Sequence, residues 1–323
     1  MWLVVAVLAG CSLLRTTPPG APTDTPTHRR TILRQNGFFE VRIEAPDVPA
    51  GPKPAVLSFV DEFRKPLLAA GVVIVSYVVH WELLRGLPKA TPTPPEPPPD
   101  APAPKTVGKW LLASPSPGVI GKGYFGLLAG NAHDTIPQVL DAIATDPDID
   151  PKRLGIVGFS TNGFVALLAT AGNPRLRVAV AVAACGDFHR FLHRSTLAMN
   201  GEPLALDPDY DRWLRSTEPI RHPLRLVHAA VLMVNGRTDL PVPIACAEAT
   251  AVTLRKAYAT VGAPDRYRFV VIDQGHAMGE QAQREALDWI DRWLVRSTRD
   301  ASDREDRHAD RWPEAALDAE PRH

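Results

Sequence analysis

The sequence predicts an α/β fold, a doubly wound and mostly parallel sheet with helices on both faces. Short β-prone runs alternate with helical patterns between residues 37 and 297. Several of those runs are apolar at nearly every position, as strands covered on both faces by helices must be. A length of 323 residues at 45% hydrophobic content suits one large core rather than several.

Each element can be justified in chain order. Phe38–Ala45 alternates as a strand does. Ala55–Phe59 is apolar and β-prone, Phe63–Ala70 is a helix closed by Gly71, and Val72–Val79 is a near-continuous apolar strand. From Pro88 to Pro104 nine of seventeen positions are proline. No helix or ladder strand survives that density, so 88–104 is expected to be a proline-rich loop inserted in one domain. The rhythm resumes at Thr135–Thr145, a helix with Ile136, Val139, Leu140 and Ile143 on one stripe. Strands at Leu154–Phe159, Val178–Ala184, Val231–Val234 and Tyr267–Ile272 then alternate with helices at Thr161–Ala171, Ala247–Val261 and Ala282–Val295. Residues Gly186–Leu224 are mixed, and 298–323 form a charged tail without apolar spacing, expected to be disordered.

The N-terminus carries a different signal. Met1–Gly10 is an apolar run too short to span a bilayer, and it suits a signal peptide. Leu8-Ala9-Gly10-Cys11 resembles the lipobox of bacterial lipoproteins, although no Lys or Arg precedes the run. The resemblance implies cleavage after residue 10, lipidation of Cys11, and attachment to the bacterial cell envelope facing the periplasm or exterior. Residues 11–36, rich in Pro and Thr, then read as a tether that lacks the apolar groups to pack. Lys+Arg and Asp+Glu both total 36, so no positive field exists to attract nucleic acid. Cys185 and Cys246 are left over, open to a disulfide or to two buried thiols.

The chemistry centres on Leu154-Gly-Ile-Val-Gly-Phe-Ser160-Thr-Asn-Gly, where a strand runs into Ser160 and a helix begins at once. A serine on such a sharp turn is held in a strained conformation that lifts its Oγ above the sheet, and Gly158 lets strand and helix pass closely. The N–H of Thr161, at a helix start, is placed to receive an oxyanion. A serine needs a base, itself oriented by an acid. Asp239 and His276 each follow the C-terminal end of a strand, the edge where open α/β sheets gather ligands. The order Ser…Asp…His is that of the α/β-hydrolases.

From about Gly37 to Val295 the chain resembles the dienelactone hydrolase-like and acetyl-xylan-esterase-like branch of the α/β-hydrolases. Asp150–Ser160 is similar to the approach to that family's nucleophile, Gly236–Pro243 to its acid loop, and Gly275-His276 to its histidine loop. The resemblance implies hydrolysis of a small-molecule or polymer-borne ester through an acyl-enzyme, without metal or organic cofactor. Two positions depart from the pattern. Asn162 stands where the family has its second elbow glycine, and Leu57-Ser-Phe-Val-Asp61 lacks the glycine of the other oxyanion strand, leaving the N–H of Phe59 or Val60 for that task. These departures motivate an alternative, a non-catalytic binding lipoprotein on a degenerate hydrolase fold. A prolyl-oligopeptidase-like peptidase is a further alternative; it shares the catalytic domain, but the chain offers no room for an N-terminal propeller.

Other motifs weigh less. Gly121–Gly126 matches G-x-G-x-x-G but does not join a clear strand to a helix, so it reads as a rim loop. Asp146–Pro151 begins like a calcium loop, yet Pro151 takes the sixth position and Val157 the twelfth. His189 and His193 are spaced for a shared metal without an evident third ligand, so they read as a helix face.

Overall fold

A computed structural model describes residues 26–34, 39–48, 50–79, 125–195 and 208–296. The signal segment 1–10, Cys11, the proline-rich stretch 88–104, His80, Trp81 and the tail 298–323 lie outside the described residues. So does 121–124 of the G-x-G-x-x-G match, while Gly126 stands in a helical stretch at 125–130.

The described residues form an eight-stranded sheet in the order β1-β2-β4-β3-β5-β6-β7-β8. The strands are β1 (Thr27–Arg34), β2 (Phe39–Pro46), β3 (Lys53–Ser58), β4 (Val73–Val79), β5 (Ile149–Phe159), β6 (Leu176–Val182), β7 (Ala230–Gly236) and β8 (Tyr267–Ile272). β3 through β8 run parallel; β1 and β2 add an antiparallel edge. The helices are α1 (Arg64–Ala69), α2 (Ile136–Ile143), α3 (Thr161–Gly172), α4 (Phe188–Arg194), α5 (Pro208–Thr217), α6 (Ile244–Thr260) and α7 (Glu280–Ile290). One face of the sheet carries α2 to α6, with Phe125, Phe164, Phe188 and Phe191 clustered ring on ring. The other carries α1 and α7, through Phe63, Leu67, Trp289 and Ile290. α3 is buried on all sides from Asn162 to Thr170, which makes it the central helix of the fold. Doubly wound α/β architecture is therefore what the alternating runs produce.

One segment departs from expectation. Residues 27–34, placed by composition in a tether, form β1 and pair with β2 along all eight residues. The cause is electrostatic as much as backbone. Arg30 reaches Asp146 and Asp148, both at 2.6 Å, and His28 lies 2.8 Å from both Asp148 and Asp47. The His28 and Arg30 contacts hold the Asp148 carboxyl at about 2. The calcium-like Asp146–Pro151 stretch is thus a turn running into β5, whose acids pair with arginine, histidine and lysine side chains.

Candidate active site

β5 ends at Phe159, and Ser160 leaves it with φ 55 and ψ −120, a left-handed conformation that a side-chain-bearing residue adopts only under constraint. The constraint is visible. Ser160 N–H donates to Val182 C=O at 2.8 Å, and Ser160 C=O accepts from Gly163 N–H (2.8 Å) and Phe164 N–H (3.1 Å) to start α3. A Cβ on Gly158 would overlap the Asn162 carbonyl, so the strand can only turn this tightly with glycine there. A Cβ on Gly163 would sit 2.8 Å from Ala184 Cβ and 2.9 Å from Val182 O. The second close approach thus falls on Gly163, not on Asn162, because residue 163 is the one that faces β6. Asn162 itself is 6% exposed.

The acid and the base come from the ends of β7 and β8. Their loops are zipped by backbone bonds, Arg237 N–H to Ile272 C=O at 2.8 Å and Thr238 N–H to Gln274 C=O at 3.1 Å. Gly236 sits under this zipper; a Cβ there would overlap Gln274 O. The zipper brings Asp239 Oδ2 to 2.8 Å from His276 Nδ1, and His276 Nε2 to 2.8 Å from Ser160 Oγ. A carboxylate only accepts, so Nδ1 carries the proton and Nε2 is left to accept from the serine hydroxyl. Asp239 is fully buried in its side chain, and its other oxygen accepts Val242 N–H at 2.7 Å. The His276 ring leans on Phe159, centroids 5.0 Å apart. Residues 116, 79 and 37 apart in sequence meet here in one hydrogen-bonded line.

Comparisons with known proteins place the chain in a family and a fold. The sequence pattern of the prolyl oligopeptidase family matches residues 126–300, more than half of the chain. The chain belongs to the prolyl oligopeptidase family. That is a serine-hydrolase-type family. The uncharacterized peptidase YuxL of Bacillus subtilis is 31% identical over 137 residues, which cover 41% of this chain and 20% of that protein. This prolyl oligopeptidase family member therefore spans one fifth of that relative. Among solved structures, a puromycin-hydrolyzing peptidase of Mycobacterium tuberculosis superposes with a TM-score of 0.56 at 18% identity, covering 86% of this chain and 41% of that one. A Klebsiella pneumoniae protein described as a dienelactone hydrolase superposes at 0.51 and 19% identity, covering 83% and 98%. These likenesses support the α/β-hydrolase fold. The family match is to the prolyl oligopeptidase family, and a dienelactone hydrolase stands among the structures that share the fold.

Of the other sequence-derived candidates, Thr161 is the first residue of α3 and follows the serine directly. Phe59 and Val60 follow the end of β3 beside β5, where the Phe59 ring meets Tyr77 edge-on at 5.1 Å. The Val60 N–H donates to Ser58 Oγ at 3.3 Å. His189 does not pair with His193 around a metal. Its Nδ1 lies 3.0 Å from Glu218 Oε2 and its Nε2 2.6 Å from Asp211 Oδ1. Among the described residues no group of three or more His, Cys, Asp or Glu side chains could hold a metal ion. Cys185 and Cys246 are both buried free thiols; burial, with Cys246 alongside, pushes the Cys185 thiol well above its usual range. Sequence reasoning missed Asn235, Gly163 and the Glu218 cluster. Gly163 was within reach, since it stands one residue beyond the expected glycine.

Proposed function

We propose that the chain cleaves carboxylic esters through an acyl-enzyme on Ser160. The observation that carries this is the unbroken line Asp239–His276–Ser160, both links 2.8 Å, ending on a strained elbow. His276 Nε2 takes the Ser160 proton as Oγ attacks the acyl carbon, and buried Asp239 stabilises the imidazolium that forms. Developing charge on the carbonyl oxygen is received by the Thr161 N–H and an N–H from the β3 exit. Phe59 is the stronger of the two there, because Ser58 already occupies the Val60 N–H. His276 then returns the proton to the departing alcohol, and water repeats the sequence to release the acid. The non-catalytic alternative loses its main motive, since Gly163 supplies the close approach that Asn162 was expected to obstruct.

Peptide hydrolysis is the second reading, and the family match over 126–300 favours it. The chemistry is shared; an amide differs in needing a more complete proton delivery to its leaving nitrogen. A panel of p-nitrophenyl esters of graded chain length, run beside peptidyl p-nitroanilides with Ser160→Ala as blank, separates the two. The ester reading expects short-chain esters to turn over and anilides to lag by about a hundredfold or more. Anilides cleaved as fast as the esters would make the chain a peptidase. For location, Leu8–Cys11 supports a lipid anchor at Cys11 in a bacterial envelope, tested by labelled fatty-acid incorporation that Cys11→Ser should abolish.

A further inference from the structure

β7 is apolar and buried along its length until Asn235, whose side chain is 1% exposed. Its Nδ2 donates to the Ala184 carbonyl at 3.0 Å, while its Oδ1 is buried without a partner. An amide with an unmet acceptor is a poor choice for filling space in an apolar strand. Its one bond has a specific address. Ala183, next to that carbonyl, has φ 51, and with Ser160 it is one of two positive-φ residues other than glycine among the described residues. Alanine has no local means to hold such a backbone. Ala183 N–H donates to Val234 C=O at 2.8 Å, so consecutive residues of β7 grip 183 and 184 together.

Residues 182–184 are also the seat of the elbow. Val182 C=O accepts the Ser160 N–H, and Gly163 rests against Ala184 Cβ and Val182 O. The two strained residues are therefore joined through the short stretch 182–184 at the end of β6. We propose that Asn235 is a positioning residue that pins the left-handed turn at Ala183 and thereby sets the height and angle of the Ser160 elbow. It touches no reacting atom. The proposal rests on Ser160 being the nucleophile. Without the amide, Ala183 relaxes toward negative φ, 182–184 shift, and the elbow loses its alignment with His276 Nε2 and the Thr161 N–H.

The test is the reaction of the full chain with a fluorophosphonate probe, resolved into a binding constant and a limiting first-order rate. Asn235→Ala should lower the limiting rate about tenfold and leave the binding constant unchanged, as misalignment at the reacting centre does. Adding Ala183→Gly should restore the rate to within about twofold, since glycine holds positive φ without help. A merely structural role would not be rescued by a more flexible residue. If Asn235→Ala does not fold, Asn235→Val, which suits a strand, takes its place. An unchanged rate in the single variant, or no rescue in the double one, overturns the proposal. Ser160→Ala serves as the separate control. Labelling that survives in it refutes the nucleophile assignment instead.

Discussion

His276 and His189 each hold a buried carboxylate near Nδ1, Asp239 at 2.8 Å and Glu218 at 3.0 Å. They differ at the other nitrogen. His276 Nε2 meets the Ser160 hydroxyl, whereas His189 Nε2 meets a second carboxylate, Asp211, at 2.6 Å. Two acceptor-only partners require both nitrogens of His189 to carry protons, and its pKa is accordingly raised, chiefly by Glu218. Burial works against the Glu218 charge, but the His189, Arg221 and backbone bonds outweigh it, and its pKa ends lowered. The same pair of residue types thus yields a locked cation that ties α4 to α5, and an imidazole whose second nitrogen faces a serine hydroxyl. A carboxylate on one side of an imidazole orients it; carboxylates on both sides retire it from proton transfer.

The largest expected effects would break this comparison directly. Asp239→Asn should lower ester turnover about ten-thousandfold by favouring the wrong tautomer of His276, with little change in melting temperature. Glu218→Gln should do the reverse, costing roughly 3 kcal/mol of stability by unpairing a buried cluster while the turnover number stays within about threefold. Steady-state kinetics beside denaturant titration would check both. Equal effects on activity would mean that the two clusters are not separate devices.

The elbow offers the next contrast. Gly163→Ala places a methyl against Ala184 and Val182, and turnover should fall about a hundredfold as Ser160 is displaced. Asn162→Gly, in the first turn of α3, should cost only about 0.3 kcal/mol of helix propensity and leave turnover within about threefold. A larger loss at 162 than at 163, measured on one short-chain ester, would return the critical approach to Asn162.

The smallest effects concern pH. The His189 pKa lies above the ordinary 6.5, so its stabilisation is present below 6.5 and is lost as pH rises through the raised value. The stability deficit of His189→Gln should therefore shrink toward alkaline pH. His228 has the opposite sign. Burial first, then the Arg177 charge, depresses it to about 4, so stability is lost as pH falls from 6.5 through 4. His228→Gln should flatten that acid limb. Urea midpoints between pH 4 and pH 9 would show both slopes, and parallel curves for the two variants would contradict them.

The sheet and the three residues Ser160, Asp239 and His276 were legible because each leaves a local mark. Apolar runs such as Val231–Val234 announce strands, and Gly158 before Ser160 announces a turn. β1 was not legible, since His28 and Arg30 find their acids more than a hundred residues away at Asp146 and Asp148. The Glu218 cluster was invisible for the same reason: its meaning lies in Phe188, His189 and Arg221 N–H groups converging on one carboxylate. Asn235 fell just past the expected strand Val231–Val234, although it is the last buried side chain of β7. The glycine count around the elbow was read by family spacing, while the constraint depends on which helix position faces β6.

On the proposed mechanism His276 activates Ser160 and no other residue. Peptide mapping by mass spectrometry after reaction with a fluorophosphonate tests it most directly. One phosphonyl group should be found on the peptide containing Ser160 in the wild-type chain, and none on His276→Ala treated in parallel. An adduct on a different residue, or ester hydrolysis by a chain that takes up no adduct, would refute that mechanism.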